Sequence, residues 1–413
     1  MKRRVVVTGM GLVSPVGNSV DESFDALIQG KNGIDFIKLD DASTWKVKIA
    51  GEIKNLNFED YLDQREIKRS DRVMSLAMIA AMQAYEQSKL NGVEINHRRF
   101  GTFVSSGIGG LNTIFEETKK CVLKGQDRIS PFFIPNSIIN LIGGMIAIKF
   151  QAKGPNLPVV TACSAATNSI GEAFRYIRDG YLEIAFAGGS EAPINEIGIG
   201  GFSSLRALNF SNDPNVASTP FDARRSGFVM AEGAGVIILE EYEHAKKRNA
   251  PMFAELVGYG TTSDAFHMTA PDENAEGIEN CIRLMLEDAN VEPEEIGYIN
   301  AHGTSTPLND RLETLGIKKA MGDAAYQVNI SSTKSMTGHA LGAAGAIESI
   351  VVIKSLQTGI IPPTIHLEEK DPDCDLNYTP NVAVQRSLKY AVNINIGFGG
   401  QNAALLFKKV EKS

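Results

Sequence analysis

The chain opens twice. Val5-Val-Val-Thr-Gly-Met-Gly runs a short apolar segment into a Gly-x-Gly turn, and Pro251-Met-Phe-Ala-Glu-Leu-Val-Gly-Tyr-Gly repeats the device past the middle. A repeated opening of this kind constrains the fold to two similar halves, residues 1–250 and 251–413. No low-complexity or flexible linker separates them, so they are expected to share one rigid body. Strand-like and helix-like runs alternate throughout, which is the pattern of an α/β fold.

Strands are expected at Val5-Val-Val, Thr102-Phe-Val-Ser, Ile184-Ala-Phe-Ala and Gly235-Val-Ile-Ile-Leu-Glu in the first half. The second half offers Ile296-Gly-Tyr-Ile-Asn-Ala-His, Val328-Asn-Ile-Ser-Ser and Tyr390-Ala-Val-Asn-Ile-Asn-Ile. Ser70 to Leu90, rich in Ala and Met, predicts a helix capped by Ser70 or Asp71 and ended near Asn91-Gly92.

Several function classes drop out early. The formal charge of −8, from 41 basic and 49 acidic residues, argues against nucleic acid as the main partner. The four cysteines, Cys121, Cys163, Cys281 and Cys374, show no C-x-x-C spacing. A disulfide framework or zinc site is therefore not expected, and the chain reads as reduced. The apolar run at the N-terminus stops at Thr8-Gly9 with no cleavage signal after it, and no apolar stretch is long enough to span a membrane. The expected location is the cytoplasm. Gly9-x-Gly11-x-x-Ser14 lacks the third glycine of a dinucleotide loop, and there is no Walker A, H-E-x-x-H or G-x-S-x-G segment.

Chemistry has to come from elsewhere. In Val159-Val-Thr-Ala-Cys163-Ser-Ala-Ala a strand is expected to end and a helix of small residues to begin at Cys163. Unpaired N–H groups and the helix dipole there favour a thiolate, the setting of a nucleophilic cysteine. A small buried hydrophobe fits this segment equally well. Cys121, Cys281 and Cys374 have no such setting. Two of the six histidines, His302 in Asn-Ala-His-Gly-Thr-Ser-Thr and His339 in Met-Thr-Gly-His-Ala-Leu-Gly, sit in loops built for close backbone approach. Two neutral imidazoles can hold the oxygen of a thioester enolate. His97, His244, His267 and His366 lack a comparable setting, although His267 could lie near an entrance.

The segments Val-Val-Val-Thr-Gly-Met-Gly (5–11), Ser-Ser-Gly-Ile-Gly-Gly (105–110), Thr-Ala-Cys-Ser (161–164), Pro-Phe-Asp-Ala-Arg-Arg-Ser-Gly-Phe-Val (220–229), Asn-Ala-His-Gly-Thr-Ser-Thr-Pro (300–307), Ser-Ser-Thr-Lys-Ser-Met-Thr-Gly-His (331–339) and Gly-Phe-Gly-Gly (397–400) belong together. With them the chain resembles, end to end, the β-ketoacyl-acyl-carrier-protein synthase II family of fatty acid synthesis. The resemblance implies an α/β, duplicated thiolase-type fold of five layers, α-β-α-β-α, and a homodimer. It implies a catalytic set of Cys163, His302 and His339, with Lys334 paired to one of Glu348, Glu313 or Asp310. Cys163 N–H and Phe398 N–H would form an oxyanion hole.

Substrate contacts implied in the same way are Thr304 and Thr306 on a phosphopantetheine arm, Gly399 in the glycine loop, and Ile108 and Ile396 at the acyl pocket. Arg65, Lys68, Arg69 and Arg206 would dock an acidic acyl carrier protein. The implied reaction transfers an acyl group to Cys163, then joins it to the enolate left when malonyl-carrier protein loses CO2. No metal or cofactor enters, since the substrates arrive on the carrier's own arm.

The sequence departs from the family pattern twice. Asn-Ser-Phe usually precedes Gly-Phe-Gly-Gly, where this chain has Ile394-Asn395-Ile396, and Phe266 stands where tyrosine is usual. Three rivals remain. A thiolase-like acyltransferase would want a second cysteine near the glycine loop, which is absent. A non-catalytic or polyketide-type partner subunit should lack the nucleophile. A cysteine hydrolase fits poorly with a closed Gly/Ala-rich site.

Overall fold

All nine residues of the first strand, β1 (Val5–Val13), are buried. Burial on both faces is what a central strand covered by helices requires, and the Val-Val-Val run supplies it. In the computed structural model, which describes residues 2–39 and 41–411, β1 is the fourth strand of a nine-stranded sheet. Its other strands are β2 (Phe100–Ser105), β3 (Ile184–Glu191), β4 (Gly233–Glu241), β5 (Ala254–Ser263), β6 (Ile296–Asn300), β7 (Asn329–Ser331), β8 (Tyr390–Gly397) and β9 (Gln401–Lys408). The spatial order is β2-β3-β4-β1-β5-β9-β8-β6-β7.

That order contains one pattern twice. From β1 outward run β4, β3 and β2; from β5 outward run β9, β8 and β6. In each series the first two pairings are antiparallel and the third is parallel. The second series ends on β7, parallel to β6. The first has only a single parallel bridge between Thr102 and Asn156 at the matching place. The strand expected at Val159-Val-Thr-Ala is thus not a regular strand. The two series join where Val5–Val7 pairs with Ala254–Leu256, so the two like openings of the sequence are neighbours in space.

Helices complete the layers. α1 (Arg72–Ser88) and α2 (Asn140–Phe150) pack on one outer face through Ile79, Ile146, Phe100 and Phe186. α4 (Glu276–Ala289) and α5 (Pro307–Met321) cover the opposite face through Ile278, Ile282, Leu312 and Ile317. Between the two series of strands, which are two halves of one folded sheet, lie α3 (Ala165–Arg178) and α6 (Ala344–Thr358), the latter buried almost all round as a central helix must be. The result is α-β-α-β-α, the expected five layers of the duplicated thiolase-type fold.

The helix expected over Ser70 to Leu90 runs from Arg72 to Ser88. Asp71 is its cap, accepting from Val73 N–H, and it ends on Lys89 in the left-handed region rather than at Gly92. No helix among the described residues is long and apolar enough to cross a membrane.

Candidate active site

Cys163 lies in the tight turn Ala162–Ser164 that leads into α3, and is 8% exposed. Its counterpart is the turn Leu341–Ala343 leading into α6. Both turns hold a non-glycine residue at positive φ, Ala162 at 49° and Leu341 at 43°. Such strain costs on the order of 1–3 kcal/mol and persists only where the surroundings enforce it. One enforcing contact is the end of β8. A Cβ on Gly397 would stand 2.5 Å from Thr161 O and 3.4 Å from Cys163 N, so glycine lets the strand approach the Cys163 turn.

The two histidines come from different loops and meet ring to ring, with centroids 5.2 Å apart and planes at 85°. His339 is pinned across the duplication: its N–H donates to Val229 O at 2.7 Å, and its carbonyl accepts from Ala231 N–H at 2.9 Å. His302 follows β6, where Glu313 accepts the N–H groups of His302 and Gly303 at 2.6 and 2.7 Å. Phe228 presents its edge to His339, at 5.2 Å and 78°.

Lys334, 1% exposed, donates to the His302 carbonyl at 2.6 Å and pairs with Glu348. The expected choice among three carboxylates therefore falls on Glu348. Glu313 spends its oxygens on the His302 loop. Asp310 accepts from Phe221 N–H at 2.9 Å and lies 3.7 Å from Arg225, so neither pairs with Lys334.

Burial and the Lys334 charge set the protonation states. Burial holds both imidazoles well below the usual 6.5, and Lys334 pushes the same way, so both are neutral. Burial pushes the Cys163 thiol up to about 12, against the pull of Lys334 and of the Phe398 and Cys163 N–H groups that reach the sulfur. The thiolate expected at the start of α3 is corrected here: desolvation by burial outweighs the helix start. Burial also raises Glu313 to about 8.

Cys163, His302 and His339 share one cavity of about 380 Å³ with Phe398, Thr304, Thr306 and Ile396, a volume in the range of small-molecule sites. The two threonine hydroxyls lie 2.9 Å apart. Phe202 and Phe228, singled out by nothing in the sequence, complete the apolar wall, with the Phe202 ring 6.3 Å from that of Phe398. Two expected substrate contacts do not line this cavity. Gly399 turns its N–H to Met268 O at 2.8 Å, leaving Gly397, Phe398 and Gly400 as the wall. Ile108 packs behind, against the cluster that contains Cys163.

The Ile108 loop is held by Glu191, a buried carboxylate that accepts from Ser106 Oγ at 2.6 Å, Gly107 N–H at 2.7 Å and Gly342 N–H at 2.9 Å. Sequence gave no sign of it, because its partners are scattered along the chain. Arg206 lies on the cavity rim, whereas Arg65, Lys68 and Arg69 stand exposed on the short helix Gln64–Arg69, away from the lining. His267 is exposed on the segment whose neighbours Asp264, Thr269 and Ala270 border the cavity, and its Nδ1 accepts from Thr269 and Ala270 N–H.

Comparison with known proteins agrees with this geometry. Residues 2–245 match the family model for the Beta-ketoacyl synthase, N-terminal domain, and residues 253–368 that for the Beta-ketoacyl synthase, C-terminal domain. The chain is 46% identical over 409 residues to 3-oxoacyl-[acyl-carrier-protein] synthase 2 of Staphylococcus aureus (strain COL), covering 99% of each chain. It is 46% identical over 410 residues to the protein of the same name from Coxiella burnetii, again covering 99% of each. Among solved structures, a type II PKS acyl-carrier protein in complex with its ketosynthase bound to the hexaketide matches at a TM-score of 0.91 and 34% identity, covering both chains fully.

Proposed function

The chain belongs to the β-ketoacyl synthase family, and we propose that it is a 3-oxoacyl-[acyl-carrier-protein] synthase whose chemistry rests on Cys163, His302 and His339. The observation that carries this reading is the shared cavity: a buried thiol and two neutral imidazoles, crossed at 5.2 Å, line one small apolar space. Cys163 takes the acyl group from one carrier protein, forming a new thioester as the carrier's thiol leaves with a proton. Malonyl on a second carrier then loses CO2. Its thioester oxygen, gaining negative charge, is held by Nε2–H of the histidines, and the enolate carbon attacks the acyl-Cys163 carbonyl; the acyl–sulfur bond then breaks, and Cys163 leaves as thiolate and takes up a proton from solvent. The Cys163 and Phe398 N–H groups, which already reach the sulfur, are suited to the oxyanion of both tetrahedral intermediates.

Lys334 and Glu348 would act through the histidines rather than on substrate. The ammonium fixes the His302 carbonyl, and burial, aided by its charge, keeps both rings neutral, hence uncharged donors for the enolate. Thr304 and Thr306, at the cavity wall, fit the polar arm that carries the substrate.

A homodimer is part of the proposal. Between residues 111 and 160 the side chains of Leu123, Ile134, Ile138 and Ile148 are 41–71% exposed, apolar groups that a second copy could cover. Sedimentation should give about twice the 44.6 kDa of one chain, and a monomer at micromolar concentration would remove this part.

Variants separate the two catalytic jobs. Cys163→Ala should abolish condensation yet still release CO2 from malonyl-carrier protein, because the enolate site survives. His302→Ala and His339→Ala should each slow CO2 release by roughly a hundred- to thousandfold, the usual cost of one oxyanion donor. Condensation by Cys163→Ala, or parent-rate CO2 release by either histidine variant, would contradict the assignment.

A further inference from the structure

The two histidines are not held alike. His339 Nδ1 is buried with no hydrogen-bond partner among the described residues. His302 Nδ1 has one, the side-chain nitrogen of Asn395 at 3.4 Å. Asn395 lies at the departure from Asn-Ser-Phe, on β8, and is fully buried.

Which end of the Asn395 amide faces the ring is fixed by a chain of groups with only one possible role. The Gly345 carbonyl can only accept, and it takes Asn393 Nδ2 at 3.0 Å. The same nitrogen lies 3.0 Å from Asn395, which must therefore turn its Oδ1 that way. Thr167 Oγ1 donates to this oxygen as well, at 2.5 Å. The nitrogen of Asn395 is left facing Glu348 Oε2 at 2.8 Å, a carboxylate whose other oxygen holds Lys334. Space for the network is kept by Gly345, where a Cβ would stand 1.9 Å from Thr167 Oγ1 and 2.8 Å from Asn395 Oδ1.

We propose that Asn395 is a positioning residue that fixes the tautomer of His302: by donating to Nδ1 it keeps the single ring proton on Nε2, the edge left for the cavity. A neutral imidazole carries one proton, and the group bonded to one nitrogen decides which nitrogen has it. The consequence for catalysis rests on the reading of His302 as an enolate donor. A ring with its proton on Nδ1 would turn a lone pair toward the developing oxyanion. His302 is thus a preset donor, while His339 Nδ1 has no such partner among the described residues.

Nitrogen NMR of protein labelled with [15N]histidine reads the tautomer directly, with His302 identified by the signals missing from His302→Ala. In the parent, His302 Nδ1 should be unprotonated and Nε2 protonated. Asn395→Asp should reverse this, since a carboxyl sharing one proton with Glu348 turns only lone pairs to the ring. That variant should lose roughly ten- to a hundredfold in kcat for malonyl decarboxylation with KM little changed. Asn395→Ala should give mixed tautomers and a smaller loss. Protonated Nδ1 in the parent overturns the proposal whether or not any variant folds. So does a folded Asn395→Asp that keeps the Nε2 proton and the parent kcat. A parent that releases no CO2 at all would instead overturn the condensing reading, and the tautomer signals would still decide the role of Asn395.

Discussion

Cys163 shows what a single residue owes to its surroundings. Its place before a helix suggests a thiolate, and burial reverses that: the thiol is pushed up to about 12. The charged form is therefore scarce, and below that value its share rises about tenfold with each unit increase in pH. Alkylation of Cys163 by iodoacetamide should accordingly rise about tenfold per unit across roughly pH 7 to 9, with no plateau. A plateau below pH 8 would mean that the resting site holds a thiolate after all. That Cys163, His302 and His339 would meet in one cavity was legible in sequence because each sits in a segment of unusual composition. Asn395 was legible only as an oddity. Its meaning depends on Thr167 and Glu348, residues far away in the chain, and no local pattern links them.

At the scale of elements, strands read more reliably than their ends. The Val-Val-Val and Val-Ile-Ile runs became β1 and β4, but the helix expected to end near Asn91-Gly92 stops at Ser88, where Lys89 takes a left-handed turn. Val159-Val-Thr-Ala looked like a strand because it is apolar, yet its chain makes only one bridge before bending into the strained turn at Ala162. The end of β8 matters most for function. Ile396 is 7% exposed, lines the cavity and precedes the glycine that lets β8 approach Cys163. Being β-branched, it is stiff at χ1. Ile396→Phe should change kcat/KM along a series of acyl lengths while leaving malonyl decarboxylation near the parent rate. Ile108→Phe, behind the cavity, should reject long chains and cost about 1–3 kcal/mol by overpacking. A parent-like profile in both variants, with melting unchanged, would remove these residues from the acyl pocket.

The whole molecule is a duplication in which each half finishes the other's site. His339 belongs to the second half but hangs on Val229 and Ala231 of the first, and β8 of the second closes over the Cys163 turn of the first. The two like openings in the sequence foreshadowed this, but not that the halves would share one nine-stranded sheet. That follows from the pairing of Val5–Val7 with Ala254–Leu256, which no pattern within either segment requires. On a chain of net charge −8, Arg65, Lys68 and Arg69 stand exposed together on one short helix, the surface proposed for docking an acidic carrier protein. Lys68→Glu with Arg69→Glu should raise KM for carrier-bound substrates and leave small thioester mimics unaffected; equal effects on both would refute docking there. The central claim is that this molecule makes a carbon–carbon bond by decarboxylation. Mass analysis after mixing the protein with an acyl-carrier protein and malonyl-carrier protein tests it most directly. The expected products are CO2 and a 3-oxoacyl-carrier protein two carbons longer, with the acyl group found on Cys163 when malonyl is withheld; free fatty acid with no lengthened chain would contradict it.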